Sequence, residues 1–180
     1  KAIFPEVPIA IGGIHPTTYT KEILSNVKEI DFIVNGEGEK QIVALSDLIE
    51  NNDEYKLSEI QSFAYRYRSG EVVVNDRSGF IDDLDELPMP AWDLIDFKDY
   101  EMDLSHYYNP KGLKMKNQIP IFTSRACPHA CTFCDMYIVM GRKLRQRSPS
   151  RVVDELEYLN RERGMDYFSF MDDNFTAQKE

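Results

Sequence analysis

Cysteine is scarce in this 180-residue sequence: there are three, and all fall within the eight residues from Cys127 to Cys134. Structural disulfides need an even set spread along the chain, so a disulfide framework is excluded. No apolar run approaches the roughly 20 residues that cross a bilayer as a helix, and no signal peptide is recognisable. Positive charge is also short. Lys and Arg number 21 against 31 Asp and Glu, a net charge of −10, which excludes a general nucleic-acid or anionic-membrane surface. An initiator methionine is missing as well; the chain opens Lys1-Ala2-Ile3-Phe4-Pro5 and is expected to be an internal piece of a longer protein. What is present suits a packed core, with 42% hydrophobic and 12% aromatic residues in one domain or parts of two.

The three cysteines sit in Ser124-Arg125-Ala126-Cys127-Pro128-His129-Ala130-Cys131-Thr132-Phe133-Cys134. Their i, i+4, i+7 spacing would make an apolar stripe on a helix, but Pro128 disfavours helical geometry at Cys127 and the neighbours Arg125 and His129 are polar. Three clustered thiols suggest a soft metal or an iron–sulfur cluster. A zinc site is one alternative, with His129 or His106 as fourth ligand, although zinc ligands usually come as two separated pairs. Three thiolates on a four-iron cluster would leave one iron open to a substrate or cofactor.

Cys-x3-Cys-x2-Cys with Phe133 before the last Cys resembles the signature of the radical S-adenosylmethionine enzymes. The resemblance implies that Cys127, Cys131 and Cys134 hold a 4Fe-4S cluster. Its open iron would chelate the amino and carboxylate groups of S-adenosylmethionine, and reductive cleavage would give a 5′-deoxyadenosyl radical. Phe133 would pack near the adenine.

Upstream, the apolar run Val7–Ile11 ends in Gly12-Gly13, followed by Ile14-His15-Pro16-Thr17 and a short helix with Ile23, Leu24 and Val27 on one face. A second strand, 30–34, ends in Asn35-Gly36-Glu37-Gly38-Glu39. The helix after it places Ile42, Leu45, Leu48 and Ile49 inward and closes at Asn51-Asn52. Glycines at the carboxyl ends of parallel strands sit where ligands bind such sheets, or simply make turns. Gly-Gly-Ile-His-Pro-Thr and Gly-Glu-Gly-Glu resemble the later half of the Rossmann-like cobalamin-binding domain ahead of many radical S-adenosylmethionine barrels. In that family Gly12, Gly13, Gly36 and Gly38 would lie along the nucleotide tail of cobalamin, and His15 is read as structural.

Alternation from Phe63 to Tyr67, a Ser69-Gly70 turn and Val72-Val73-Val74 predict a β-hairpin. Residues 82–103 then hold nine acids and one lysine around two prolines, a connector pinned across a surface with its acids solvated. Leu87-Pro-Met-Pro-Ala-Trp-Asp-Leu94 resembles the family's interdomain linker. Residues 119–123 predict a strand that feeds the cysteine loop, and active sites of β/α barrels lie at such strand ends. The basic run Arg142, Lys143, Arg145, Arg147 and Arg151 is either a solvated face or a positive environment for a thiolate cluster. Ser148-Pro149 starts a helix with Val152, Leu156 and Leu159 on one face, and Gly164 ends it. The strand 167–171 runs into Asp172-Asp173-Asn174-Phe175, which resembles the family's second-strand motif; Asp172, Asp173 and Asn174 would lie close to the S-adenosylmethionine amino group, or cap the next turn. Many relatives have Gly where Ala126 stands, and a positive φ there would strain Ala by about 1 kcal/mol.

The expected fold is therefore α/β. Residues 1–52 form the C-terminal part of a Rossmann-like, flavodoxin-like cobalamin-binding domain, and 53–117 a hairpin and interdomain connector. Residues 118–180 form the first βαβ unit of a partial TIM-type radical S-adenosylmethionine barrel. The resemblance implies an enzyme using a 4Fe-4S cluster, S-adenosylmethionine and cobalamin. It would transfer a methyl group to a small-molecule or natural-product substrate, with an electron donor such as flavodoxin or ferredoxin, in the reducing cytoplasm. A radical enzyme without cobalamin, a zinc module and a non-enzymatic cluster carrier are the alternatives.

Overall fold

The computed structural model describes residues 3–67, 69–100 and 118–177. The described residues fall into two compact units: those up to Ile81 together with His129–Arg142, and those of Asp82–Pro128 together with the chain from Lys143 onward. The part of the expected connector at 101–117 lies outside the described residues.

The first unit is built on a four-stranded sheet in the order β1-β2-β3-β4. Strand β1 (Ala10–Ile11) leads through the short helices α1 (Ile14–Thr18) and α2 (Thr20–Asn26) to β2 (Phe32–Val34), which lies parallel to it. Helix α3 (Glu39–Asn51) stops at Asn52, whose left-handed backbone (φ 55°) caps the end. The expected hairpin follows as β3 (Phe63–Arg66) and β4 (Val72–Val74), antiparallel, with Tyr65 opposite Val73. Strand β3 also pairs antiparallel with β2, so the hairpin extends the sheet of β1 and β2. Pairing Ile33 with Ala64 and Val34 with Phe63 fixes which residues share a face. Val34, Phe63 and Tyr65 pack with Leu45 of α3, whereas Ile33 and Ala64 pack with Leu24 of α2.

Two helical expectations need correction. Ile42 and Ile49 are 45% and 42% exposed, because the inward stripe of α3 runs through Ala44, Leu45 and Leu48. Val27 is not on the helix; α2 ends at Asn26 and Val27 is its extended, half-exposed cap. The α2 terminus is held from a distance. The Arg66 guanidinium donates to the carbonyl of Leu24 in the last turn of α2 and to those of Val27, Lys28 and Ile30 just beyond it, supplying a donor where the helix ladder runs out. The segment His129–Arg142 adds the single-turn helix α4 (Tyr137–Met140), whose Val139 is buried.

In the second unit, β5 (Gln118–Ile121) and β8 (Tyr167–Phe170) run parallel in a two-stranded sheet, with Ile119 opposite Phe168. The short pair β6 (Ser124–Arg125) and β7 (Arg145–Gln146) is antiparallel. Helix α5 (Pro149–Arg163) connects to β8 and has the predicted ends. Ser148 Oγ accepts from Arg151 N at 3.4 Å, Pro149 opens the helix, and Gly164 closes it at φ 68°. Ile119, Ile121, Leu159 and Met165 form the core, with Trp92, Phe97 and Leu156 packed against it.

The connector is tied to α5 by specific bonds. Asp85 accepts from Ser148 N at 3.0 and 3.2 Å, and Arg151 donates to Leu87 O at 2.9 Å. The Trp92 indole N–H donates to Glu155 Oε1 at 2.8 Å, and Arg147 pairs with Glu155 Oε2 at 2.5 Å. Glu155 is only 2% exposed, and a carboxylate that dry needs both partners. Asp85 is thus part of the framework, whereas the sequence placed all these acids on a solvated face.

Candidate metal centre

Beyond β5 the chain is anchored by one carboxylate oxygen. Thr123 N and Oγ1 donate to Asp172 Oδ1 at 2.9 Å each, and Ser124 Oγ donates at 2.6 Å. Asp172 directly follows Met171, whose N–H reaches Ile121 O at 2.9 Å, so this oxygen locks the ends of two parallel strands together. The other oxygen, Oδ2, is buried and has no hydrogen-bond partner among the described residues. A dry carboxylate oxygen without a donor is costly.

Ser124 opposite Gln146 and Arg125 opposite Arg145 close the base of the loop that follows. Ala126 is 1% exposed and has φ 71°, the strained conformation considered above. Cys127 is half-buried, Cys131 exposed and Cys134 half-buried, and all three are free thiols. Cys127 belongs to the second unit, while Cys131 and Cys134 lie in His129–Arg142 of the first, on one turn closed by Cys134 N to Cys131 O at 3.2 Å. Phe133 is 90% exposed. After β8, Asp173 is exposed and Asn174 half-buried, and Asn174 Nδ2 stands 4.0 Å from Cys127 Sγ.

The basic run is largely consumed by the framework. Lys143 pairs with Asp82 at 2.6 Å, Arg145 is buried, and Arg147 and Arg151 hold Glu155 and Leu87 O. Arg142 donates to His129 O at 2.6 Å and lies over the Tyr137 ring.

In the first unit Gly13 precedes α1 at φ 101° and Gly36 turns at φ 76°, conformations that L side chains adopt only under strain. Gly36 N donates to Thr17 Oγ1 at 3.1 Å, and Thr20 Oγ1 donates to Asn35 Oδ1 at 2.7 Å. The two glycine phrases are thereby fastened to each other. A cavity of about 410 Å³ opens beside them, lined by Asn35, Gly36, Lys40, Gln41, Ser62 and Arg77 among others. Gly12, Gly13 and Gly38 do not line it.

No model of a known protein family matches the chain. It is 33% identical, over 175 residues, to the anaerobic magnesium-protoporphyrin IX monomethyl ester cyclase of Synechocystis, covering 97% of this chain and 32% of the cyclase. Over 177 residues it is 27% identical to the cobalamin-dependent radical SAM methyltransferase TokK of Streptomyces tokunonensis, covering 97% of this chain and 24% of TokK. Its fold resembles the solved structure of OxsB, a cobalamin-dependent S-adenosylmethionine radical enzyme with aqua-cobalamin and S-adenosylmethionine bound, at TM-score 0.69 and 21% identity over 95% of this chain and 22% of OxsB. Along nearly its whole length the chain is similar to members of the cobalamin-associated radical S-adenosylmethionine family. It spans about a third or less of the length of these relatives.

The donor set fits a 4Fe-4S cluster chemically: three free thiols within one loop and no other cysteine in the sequence. Among the described residues, no three His, Cys, Asp or Glu side chains converge closely enough to share a metal ion, so the fit rests on the thiols themselves. The approach of Asn174 to Cys127 and the Asp172 anchor are details that the motif alone did not disclose. The anchor follows from the strand register, which no residue pattern discloses. Extending the register from Ile121 opposite Phe170 by two residues sets Thr123 opposite Asp172. Among the described residues no helix is long and apolar enough to cross a membrane.

Proposed function

We propose that Cys127, Cys131 and Cys134 hold a 4Fe-4S cluster in an enzyme that binds S-adenosylmethionine and cobalamin and transfers a methyl group to a small-molecule or natural-product substrate. The single observation that carries this reading is the loop of three free thiols entered from the end of a parallel strand, with the end of the neighbouring strand beside its first thiol. When bound, the cluster supplies the electron that cleaves S-adenosylmethionine to methionine and a 5′-deoxyadenosyl radical.

This chain's own residues have defined tasks in that reading. Asp172 fixes the entry to the cysteine loop through Oδ1 and keeps a buried, undonated Oδ2 for the ammonium of the methionyl group. Asp173 and Asn174 add acceptors at the same strand end. Phe133 packs on the adenine; a phenyl ring left 90% exposed forgoes about 2 kcal/mol of apolar burial that a bound nucleoside would restore. Gly36, on the wall of the cavity in the first unit, and Gly12, Gly13 and Gly38 let the nucleotide tail of cobalamin approach the backbone. In this assignment the sheet of β1–β4 belongs to the cobalamin-binding domain and β5–α5–β8 is the first βαβ unit of the barrel. Substrate contacts come from other parts of the enzyme, and a flavodoxin or ferredoxin in a reducing cytoplasm supplies electrons.

Cyclisation is the second reading of the reaction, favoured by the 33% identity to the cyclase. The cluster assignment is tested by anoxic reconstitution of the full-length protein and of single Cys127→Ala, Cys131→Ala and Cys134→Ala variants. About four irons and four sulfides per chain are expected in the parent and a loss of most iron in every variant. Bound zinc without iron, or full iron in any variant, contradicts the assignment.

A further inference from the structure

Asn174 presents its amide nitrogen to Cys127 Sγ at 4.0 Å, the outer reach of a hydrogen bond to sulfur. Both partners are held by the same carboxylate. Asp172 lies two residues before Asn174, and its Oδ1 takes three donors from Thr123 and Ser124, just ahead of Cys127. Ala126, between that anchor and the thiol, is buried at 1% exposure, and Ala177 N closes the turn on Asn174 O at 3.2 Å. The backbone on either side of the contact is therefore fixed.

Hydrogen bonds to cluster sulfurs are among the determinants of the reduction potential, because an N–H dipole favours the more negative redox state. The geometry points to Asn174 as the positioning residue that sets the potential of the cluster by donating its amide N–H to the Cys127 thiolate, with Asp172 as the brace that keeps it there. This inference rests on the cluster reading above. The step concerned is a one-electron reduction by an external low-potential donor such as dithionite. The thiolate-ligated cluster gains one negative charge, no bond is broken and no proton moves. The donated N–H stabilises that added charge, and so raises the potential.

The test is an EPR-monitored redox titration of the full-length reconstituted protein without S-adenosylmethionine, comparing the parent with Asn174→Leu, Asn174→Asp and Asn174→Gln. Removing the donor lowers the midpoint. At a fixed potential the reduced-to-oxidised ratio in Asn174→Leu falls roughly five- to tenfold, the size of one ordinary hydrogen bond. Asn174→Asp, which keeps the shape but adds like charge, falls further, and Asn174→Gln recovers part of the loss. Iron per chain confirms that each variant carries the cluster, and the Asp and Gln variants keep the comparison alive where Leu prevents folding. Unmoved midpoints in Leu and Asp variants with full clusters overturn the role of Asn174 alone. Absence of any four-iron signal in the parent overturns the cluster reading itself, and this inference with it.

Discussion

Ala126 combines a positive φ with near-complete burial, directly before the first cysteine. Replacing it with Gly would relieve about 1 kcal/mol of backbone strain. The change would also forfeit a buried methyl worth about 0.8 kcal/mol and add unfolded-state entropy of roughly 0.4–1 kcal/mol. The effects nearly cancel, so Ala126→Gly is expected to change unfolding stability by less than about 1 kcal/mol, whereas Ala126→Val, β-branched at a positive φ in a filled space, costs about 2–4 kcal/mol. Urea titrations of both variants check this, and a strongly stabilised Gly variant would show that the strain is larger than argued. Gly141 offers a contrast. A Cβ there would stand 2.6 Å from Phe80 Cε2, but that ring is partly exposed and can swing, so the φ of 75° carries most of the expected cost of Gly141→Ala.

Elements whose ends depend on local chemistry were legible in the sequence. Ser148, Pro149 and Gly164 delimit α5 because an N-cap, a proline and a left-handed glycine each act within a few residues. The hairpin was equally legible from alternation around a Ser-Gly turn. The tilt of α3 was not. Whether Ile42 or Ala44 faces the sheet depends on how closely the helix packs, and no periodicity records that. Arg66 was missed for a similar reason, since it caps a helix from 42 residues away. Arg66→Ala is expected to destabilise the first unit by about 2–4 kcal/mol, because several carbonyls lose a charged donor, and Arg66→Lys by roughly half as much, since an ammonium cannot reproduce the fork. Chemical denaturation measures both.

The connector has its own pH dependence. Hydrogen bonds from Ser148, from its side chain first and its backbone N–H second, hold the Asp85 carboxyl below the usual carboxylate range. A pKa depressed by folding contributes stability that is present above the unfolded value near 3.9 and lost as pH falls through the folded value. Acidification below about pH 4 is therefore expected to loosen the strap from α5, reported by fluorescence of Trp92, the sole tryptophan. Asp85→Asn should remove that transition, and an unchanged transition in the variant would assign it to another group.

At the scale of the whole molecule, the motif announced the thiols but not their surroundings. Three cysteines in eight residues are visible in any reading of the sequence. The strand-end carboxylate that anchors the entry to their loop exists only once β5 and β8 pair. The second unit also exposes Phe122, Phe170, Met171 and Phe175 by 43–56% around a sheet of two strands. Apolar groups of this size beside open strand edges invite association. The 180-residue chain is accordingly expected to self-associate in light scattering as its concentration rises.

The central claim is an open iron that takes S-adenosylmethionine. The most direct measurement is EPR of the dithionite-reduced, reconstituted full-length protein, recorded before and after S-adenosylmethionine is added. A four-iron signal whose g-values and line shape change on addition is the predicted result. A four-iron signal that ignores S-adenosylmethionine would make the protein a cluster carrier, and the absence of a cluster with zinc bound instead would contradict the radical assignment altogether.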